Sequence, residues 1–170
     1  MNIHDNKLSL YKLNNIEGFG TKTLHIILAK MNGTGRNLEE VFGLNKTDFY
    51  NLFPEFGRGR FSKVRHEALS RMDDRKINDE YKALIDRGIK VLSVLDSEYP
   101  QFIKSRFEET PPPILFCKGN TSILKKRGVA IVGSRDVNDF GLNTATTIAE
   151  QLAEKGYNII SGYARGADTS

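Results

Sequence analysis

Two short glycine-containing turns hold the residues that are best suited to bind an anion. Gly133-Ser134-Arg135 follows one apolar run, and Ser161–Asp168 follows the next. A glycine lets the backbone approach a ligand closely, while serine and arginine supply hydrogen-bond donors and charge. The alternative is an ordinary strand-to-helix turn with a solvated arginine. The residue types therefore favour a phosphate site and leave open a turn without a ligand.

The second turn combines small residues with one more cation. Ser161, Gly162 and Gly166 leave room for a phosphate or a sugar-phosphate backbone, and Arg165 adds a positive charge. Asp168 falls at the start of the next predicted helix, where it either stabilises the helix dipole or fixes the loop. We expect the two turns to form one rim, because the carboxyl ends of neighbouring parallel strands meet at one sheet edge.

A strand, a helix and a second strand position these turns. The apolar runs at 128–133 and 158–162 predict buried parallel strands. Between them, residues 139–155 place apolar side chains at helical spacing. The predicted inner face of this helix consists of Ala145, Ile148, Ala149, Leu152 and Ala153. The pattern predicts a right-handed βαβ unit.

The glycine spacing does not fit a dinucleotide site. The fingerprint G-x-G-x-x-G starting at Gly133 would need glycines where the chain has Arg135 and Asn138. Cys117 is the single cysteine and the three histidines are scattered, so we predict neither a disulfide framework nor a metal site. Because no nucleophile–base pair or carboxylate cluster stands out, we predict no cofactor and no enzymatic activity.

The N-terminal part reads as helical. Leu24, Ile27, Leu28 and Met31 form one helical stripe, and further helices are predicted up to about residue 72, the fourth of them over 61–72. One more helix is predicted over 76–87, followed by strands at 89–95 and 114–118. We therefore predict an α/β fold, with a small all-helical domain at 1–75 and an incomplete parallel sheet at 76–170. We expect that the sheet is either truncated or completed from outside this sequence, since doubly wound sheets have about five or six strands.

A turn near the N-terminus resembles a helix-hairpin-helix. In this turn Gly18 and Gly20 flank a phenylalanine, and Lys22 follows. Such a hairpin exposes backbone N–H groups to a DNA phosphate without reading sequence. The alternative is a plain helix-joining turn in a domain of partner contacts. The basic residues between Arg58 and Lys76 are interrupted by acidic ones, which favours a solvated helix face.

The composition narrows the class of protein but does not identify a binding partner. The 170 residues carry 25 basic and 21 acidic side chains, giving a formal net charge of +4. This balance permits a nucleic-acid partner but does not establish one. The sequence has no apolar run of membrane-spanning length, and its N-terminus is polar. We expect a soluble cytoplasmic protein without a membrane partner.

These motifs together resemble the DNA-processing protein A (DprA/Smf) family. The resemblance rests on the Gly-Ser-Arg turn, an aromatic-glycine pair before a long helix, and the Ser-Gly-x-Ala-x-Gly-x-Asp stretch. Upstream it includes a Tyr-Pro dipeptide, a Pro-Pro pair and an apolar strand that ends in Lys-Gly. The corresponding residues are Gly133–Arg135, Phe140-Gly141, Ser161–Asp168, Tyr99-Pro100, Pro112-Pro113 and Ile114–Gly119.

The resemblance implies an extended Rossmann-like domain that binds single-stranded DNA, preceded by a sterile-alpha-motif or helix-hairpin-helix module. It implies protection of incoming DNA during natural transformation, help in loading a RecA-type recombinase, and action as a homodimer. By position, Gly133, Ser134 and Arg135 would line the phosphate pocket. Ser161, Gly162 and Gly166 would form the neighbouring wall, with Asp168 supporting it. Apart from the resemblance, Phe140 and Tyr163 are the candidates near the rim for stacking on bases.

Two alternatives stay open at this stage. The same fold group includes phosphoribohydrolases and nucleotide sensors, so a nucleotide-binding or nucleotide-hydrolysing domain is the main one. The Pro-Gly-Gly-x-Gly-Thr loop of those hydrolases does not occur in residues 1–170. Ala167 also departs from the isoleucine that is usual in the DprA/Smf family. The second alternative is an interaction role for the N-terminal helices, such as self-association.

Overall fold

The computed structural model describes residues 3–58 and 65–169. The chain divides into two compact units, residues 1–119 and residues 120–170. The boundary predicted near residue 75 falls inside the first unit, because the segment that follows it packs on the N-terminal helix. Within the described ranges, no helix is long and apolar enough to cross a membrane.

The first unit is mainly helical and contains one small sheet. Residues 61–64 of the predicted 61–72 helix lie outside the described residues, and its described part is shorter than predicted. The helices are α1 (Ile3–Asn14), α2 (Thr21–Gly33), α3 (Lys46–Leu52), α4 (Arg65–Ser70), α5 (Asp74–Asp86) and α6 (Gln101–Phe107), with 3-10 helices at Leu38–Gly43 and Pro54–Gly57, and the strands are β1 (Ile89–Ser93) and β2 (Ile114–Lys118).

Helix α2 confirms the sequence-based stripe. Leu24, Ile27 and Met31 are buried, and Leu28 packs against the same core. Residues three and four apart share a helix face, so these side chains point together into the core. The core continues through a cluster of aromatic rings, in which Phe49 lies 5.2 Å from Phe53 between ring centroids. Burial of such rings is a large part of the stability of a small unit.

The strands before residue 119 do not join the predicted parallel sheet. Strand β1 pairs with β2 in antiparallel register, with Val91 opposite Phe116. The rings of Tyr81 and Phe116 both contact Tyr11 of α1, at 4.9 and 6.2 Å between centroids. The expectation of one parallel sheet over 76–170 is therefore wrong for β1 and β2, whereas the described residues before 76 form helices and no strand, as predicted. Val91, Leu92 and Ile114 are buried, while Phe116 contacts Tyr11 although it is 54% exposed. Sequence periodicity alone does not reveal these contacts.

The second unit is a short βαβ arrangement. Strands β3 (Gly128–Ala130) and β4 (Asn158–Ile160) pair in parallel, and α7 (Asp139–Glu154) connects them. Two 3-10 helices complete the unit, at Thr121–Lys125 and Ala167–Thr169. The parallel strand pair and the crossover helix confirm that part of the prediction.

Burial in the second unit is lower than predicted. On α7, Ala145 is buried, but Ile148 of the predicted inner face is 46% exposed. None of the three residues of β3 is buried, and Val132 just after it is 76% exposed. The expectation of fully buried strands is therefore wrong for the described chain, because this sheet has only two strands here and each helix or strand covers little of its neighbour.

Candidate nucleic-acid interface

The loops that follow β3 and β4 are joined by one carboxylate. Asp168 accepts a hydrogen bond from the backbone N–H of Gly133 at 3.3 Å through Oδ1, and from that of Gly162 at 3.1 Å through Oδ2. We call the joined segments, residues 133–136 and 161–166, the strand-end rim. The two turns therefore lie side by side, as the parallel strand ends required.

Close backbone packing explains the glycines of the rim. A Cβ atom added to Gly133 would lie 2.5 Å from the Cβ of Ala167. Gly166 has a φ of +97°, and a Cβ there would collide with the carbonyl oxygen of Ser134. The N–H of Ala167 donates to that same carbonyl at 3.2 Å. Glycine is required at both positions because the loops touch through their backbones.

The predicted phosphate donors are only partly available. The N–H groups of Gly133 and Gly162 already donate to Asp168, so these glycines provide space rather than free donors. Helix α7 begins at Asp139, six residues after Gly133, and its Gly141 N–H donates to the side chain of Asn138 at 2.9 Å. At least this N–H group at the start of α7 is therefore engaged within the chain.

Ser134 and Arg135 remain as exposed polar groups of the first loop. The Ser134 hydroxyl oxygen accepts from the backbone N–H of Asp136 at 3.1 Å, which leaves the hydroxyl proton able to donate. Arg135 presents a forked cation to solvent, and such a group binds phosphate through two parallel hydrogen bonds. These two side chains are the predicted phosphate ligands that the geometry leaves accessible.

Arg165 lies differently from the prediction. Its Nη2 atom forms an ion pair with Oδ1 of Asp136 at 2.5 Å, linking the two loops. Sequence reasoning did not single out Asp136. The signal in the sequence was that the acidic Asp136 directly follows Arg135 of the candidate phosphate turn. Its partner Arg165 lies 29 residues further along the chain.

Two aromatic rings stand out from the surface of this unit. Phe140, at the start of α7, is 79% exposed, and Tyr163 in the second loop is 88% exposed. Tyr163 also has a φ of +55°, in the left-handed region that non-glycine residues rarely adopt. An exposed ring has a free face on which a nucleobase can stack.

The sequence comparisons point to one family. The family model described as "DNA recombination-mediator protein A" matches residues 90–170. The chain is 33% identical to a protein named DNA processing protein DprA from Bacillus subtilis over 84 residues, which are 49% of this chain and 28% of that protein. It is 32% identical to DNA processing protein DprA from Streptococcus pneumoniae over 104 residues, 61% of this chain and 34% of the relative.

The structural comparison agrees and extends over more of the chain. The X-ray structure of DNA processing protein A (DprA) from Streptococcus pneumoniae matches with a TM-score of 0.72 and 26% identity, covering 96% of this chain and 51% of that one. The chain is therefore similar to the DprA/Smf proteins, and the family model covers its residues 90–170. It spans about a third of the length of the curated relatives, at 28% and 34%, and about half of the matched crystal structure.

The motifs behind the family resemblance also have structural roles in the first unit. The hydroxyl of Tyr99, from the Tyr-Pro dipeptide, donates to the carbonyl oxygen of Pro112 at 2.7 Å, and Tyr99 is 1% exposed. Burial raises the pKa of this phenol above its usual value. The Tyr-Pro and Pro-Pro motifs therefore hold the segment between β1 and β2 in place.

The predicted helix-hairpin-helix contact lies in the first unit. Ile16 and Phe19 are buried and anchor the turn, while Gly18 has a φ of +83°. Gly20 precedes the first residue of α2, and both Gly20 and Lys22 are exposed. This local geometry is that of a tight helix-joining turn, and DNA contact at Gly18, Gly20 and Lys22 stays a prediction.

Two observations concern the metal-ligating and thiol groups of the described residues. In residues 3–58 and 65–169, no group of three or more histidine, cysteine or acidic side chains is arranged to hold a metal ion. Burial raises the pKa of the Cys117 thiol, which disfavours the nucleophilic thiolate. The rim offers donors, cations and aromatic faces, and these groups suit binding.

Proposed function

We propose that this chain binds single-stranded DNA at the strand-end rim and does so without catalysing a reaction on it. The observation that carries this proposal is the carboxylate of Asp168, which holds the two loops together and so gathers their exposed groups in one place. A single rim with donors on both loops suits a polyanionic backbone better than either turn alone.

The roles that we propose for phosphate contact and for base stacking follow from which groups are accessible. Arg135 and the Ser134 hydroxyl would contact a phosphate, since the N–H groups of Gly133 and Gly162 are engaged by Asp168. Phe140 and Tyr163 would stack on unpaired bases, and each such contact contributes about 1–3 kcal/mol in other single-strand binders. Unpaired bases are needed for stacking, so the aromatic groups favour single-stranded over duplex DNA.

The biological setting that we propose comes from the family. The relatives are named for DNA processing, and the family model is described as a DNA recombination-mediator. We infer that DNA held at the rim is protected and passed to a RecA-type recombinase, as in natural transformation, inside the cytoplasm. We also infer that a homodimer is the working form. These inferences come from relatives of which this chain matches about a third of the length.

The direct test replaces Arg135 with alanine. Fluorescence anisotropy with labelled oligo-dT should show binding weaker by about tenfold for Arg135→Ala, because a charge-assisted phosphate contact is lost. The slope of log affinity against log salt concentration should fall by about 0.7, the value for one phosphate contact with a single strand.

Lys155→Ala is the matched control, since it removes one positive charge after the far end of α7. This position is roughly 24 Å from the start of the helix at 1.5 Å per residue, so binding should stay close to that of the parent chain. Equal affinity of Arg135→Ala and the parent would refute the proposed site. Full competition by a mononucleotide would favour the nucleotide-binding alternative instead.

A further inference from the structure

The ion pair between Arg165 and Asp136 bears directly on how the rim would bind a polyanion. Nη2 of Arg165, in the loop after β4, lies 2.5 Å from Oδ1 of Asp136, in the loop after β3. The two side chains are 78% and 85% exposed. An incoming phosphate can therefore reach the arginine only in competition with a carboxylate that is already there.

The rim does not depend on this pair for its shape. Asp168 already bonds to the backbone of both loops, and the N–H of Ala167 bonds to the carbonyl of Ser134. A solvent-exposed ion pair contributes little to stability, because water screens the attraction and two flexible side chains lose freedom. The main effect of the ion pair is therefore that Asp136 neutralises the positive charge of Arg165 on the rim.

The carboxylate is itself held in place. The backbone N–H of Asp136 donates to the hydroxyl oxygen of Ser134 at 3.1 Å, which fixes the turn that aims the Asp136 side chain toward Arg165. Arg135, the neighbouring cation, points to solvent from the same loop. Both arginines of the rim are exposed, but of the two only Arg165 forms an ion pair with a carboxylate among the described residues.

We propose that Asp136 sets the affinity of the rim for a polynucleotide backbone by competing with phosphate for Arg165. This inference rests on the proposed function and adds a residue to it. In the free chain the pair is closed. A bound phosphate displaces the carboxylate and recruits Arg165, so each binding event must break one ion pair. The result is weaker and more readily reversible binding than two free arginines would give.

The test compares Asp136→Asn with the parent 170-residue chain in an oligo-dT anisotropy titration over a range of salt concentrations. The variant should bind about two- to fivefold more tightly at low salt, the range expected from one weak surface pair. Its salt slope should steepen by about 0.7, because Arg165 then contributes one more phosphate contact. A residue with only a structural role would not change that slope in this direction.

Two further variants show whether the gain in affinity depends on the position of the removed charge and on Arg165. Asp139→Asn makes the same charge change at an exposed position three residues away, in the first turn of α7, and should give a smaller gain in affinity. The double variant Asp136→Asn/Arg165→Ala should lose the gain entirely, because the released arginine is absent. Thermal unfolding of all the variants should match the parent closely.

The outcomes separate this inference from the proposed function. If Arg135→Ala binds as well as the parent, or if the parent does not bind oligo-dT, the proposed function fails. If Arg135→Ala binds weakly but Asp136→Asn binds no better than the parent, only the role of Asp136 is refuted. An equal gain for Asp139→Asn, or a gain that persists without Arg165, also refutes that role.

Discussion

The two units of this chain are stabilised in different ways. The first unit has a continuous apolar core in which Phe49, Leu24 and Val41 are fully buried. Among the described residues of the second unit, the buried apolar side chains are only Ala145 and Ala167, while large ones such as Phe140 lie on the surface. In the second unit the loops are held instead by backbone hydrogen bonds to one carboxylate. The comparison indicates that most of the apolar core lies in the first unit, whereas the second unit leaves large apolar side chains exposed.

The largest expected contrast comes from the same substitution in each unit. Phe49→Ala removes a fully buried ring that contacts Phe53 and Phe56, and it should lower the free energy of unfolding by about 3–5 kcal/mol. Phe140→Ala removes an exposed ring and should change it by less than about 0.5 kcal/mol. Urea unfolding followed by circular dichroism measures both, and similar losses in the two variants would contradict the division between the units.

Phe140→Ala should still affect binding. Loss of one stacked base would weaken oligo-dT binding by about fivefold or more, since each stacked base is worth about 1–3 kcal/mol. Anisotropy titration measures this change at constant salt. Binding that is unchanged would place the bases elsewhere and leave the rim as a phosphate contact alone.

The next contrast tests the glycine packing of the rim. Gly166→Ala adds a methyl group at a φ of +97° that collides with Ser134 and Arg135, and it should destabilise the second unit by about 2–4 kcal/mol through strain and overpacking. Gly156→Ala has a φ of +83° but nothing within 4 Å, so only strain of about 1–2 kcal/mol is expected. Hydrogen exchange of the amides of the second unit would rank the two variants, and the reverse order would mean that the loops do not touch.

Much of this architecture follows from local sequence, and the remainder depends on distant contacts. The α2 stripe, the α7 helix and the parallel β3–β4 pair were predictable, because periodicity and turn residues act over a few positions. The antiparallel β1–β2 pairing was not, since it depends on contacts with a distant helix, such as that between Phe116 and Tyr11 of α1. At the site, a loop-fixing role for Asp168 was foreseen as one reading. The pairing of Arg165 with Asp136 was not, because it joins residues from two different loops.

The smallest expected effect is a loss of folding stability at alkaline pH that arises from three tyrosines of the first unit. Burial is the main cause that raises the pKa of Tyr11, Tyr81 and Tyr99. A pKa that is higher in the folded than in the unfolded chain means that the folded state holds the proton more tightly. The stabilisation is complete below the unfolded pKa of about 10 and is lost as the pH rises through the folded values.

Unfolding midpoints in urea should therefore fall above pH about 10. Tyr99→Phe should reduce this decline, because one of the three phenols is then missing. The urea midpoint of this variant at neutral pH measures the separate loss of the hydrogen bond to Pro112. A midpoint that rises or stays level through this pH range would show that these phenols are not protonated more tightly in the folded chain.

The most direct test of the central claim is a map of amide chemical-shift changes in the 170-residue chain as oligo-dT is added. The claim is that two loops joined by Asp168 form one DNA-binding surface. We predict that the largest changes fall within residues 133–136 and 161–166 together, and that they saturate at the same oligonucleotide concentration. Changes concentrated at Gly18–Lys22, or confined to one of the two loops, would contradict the account.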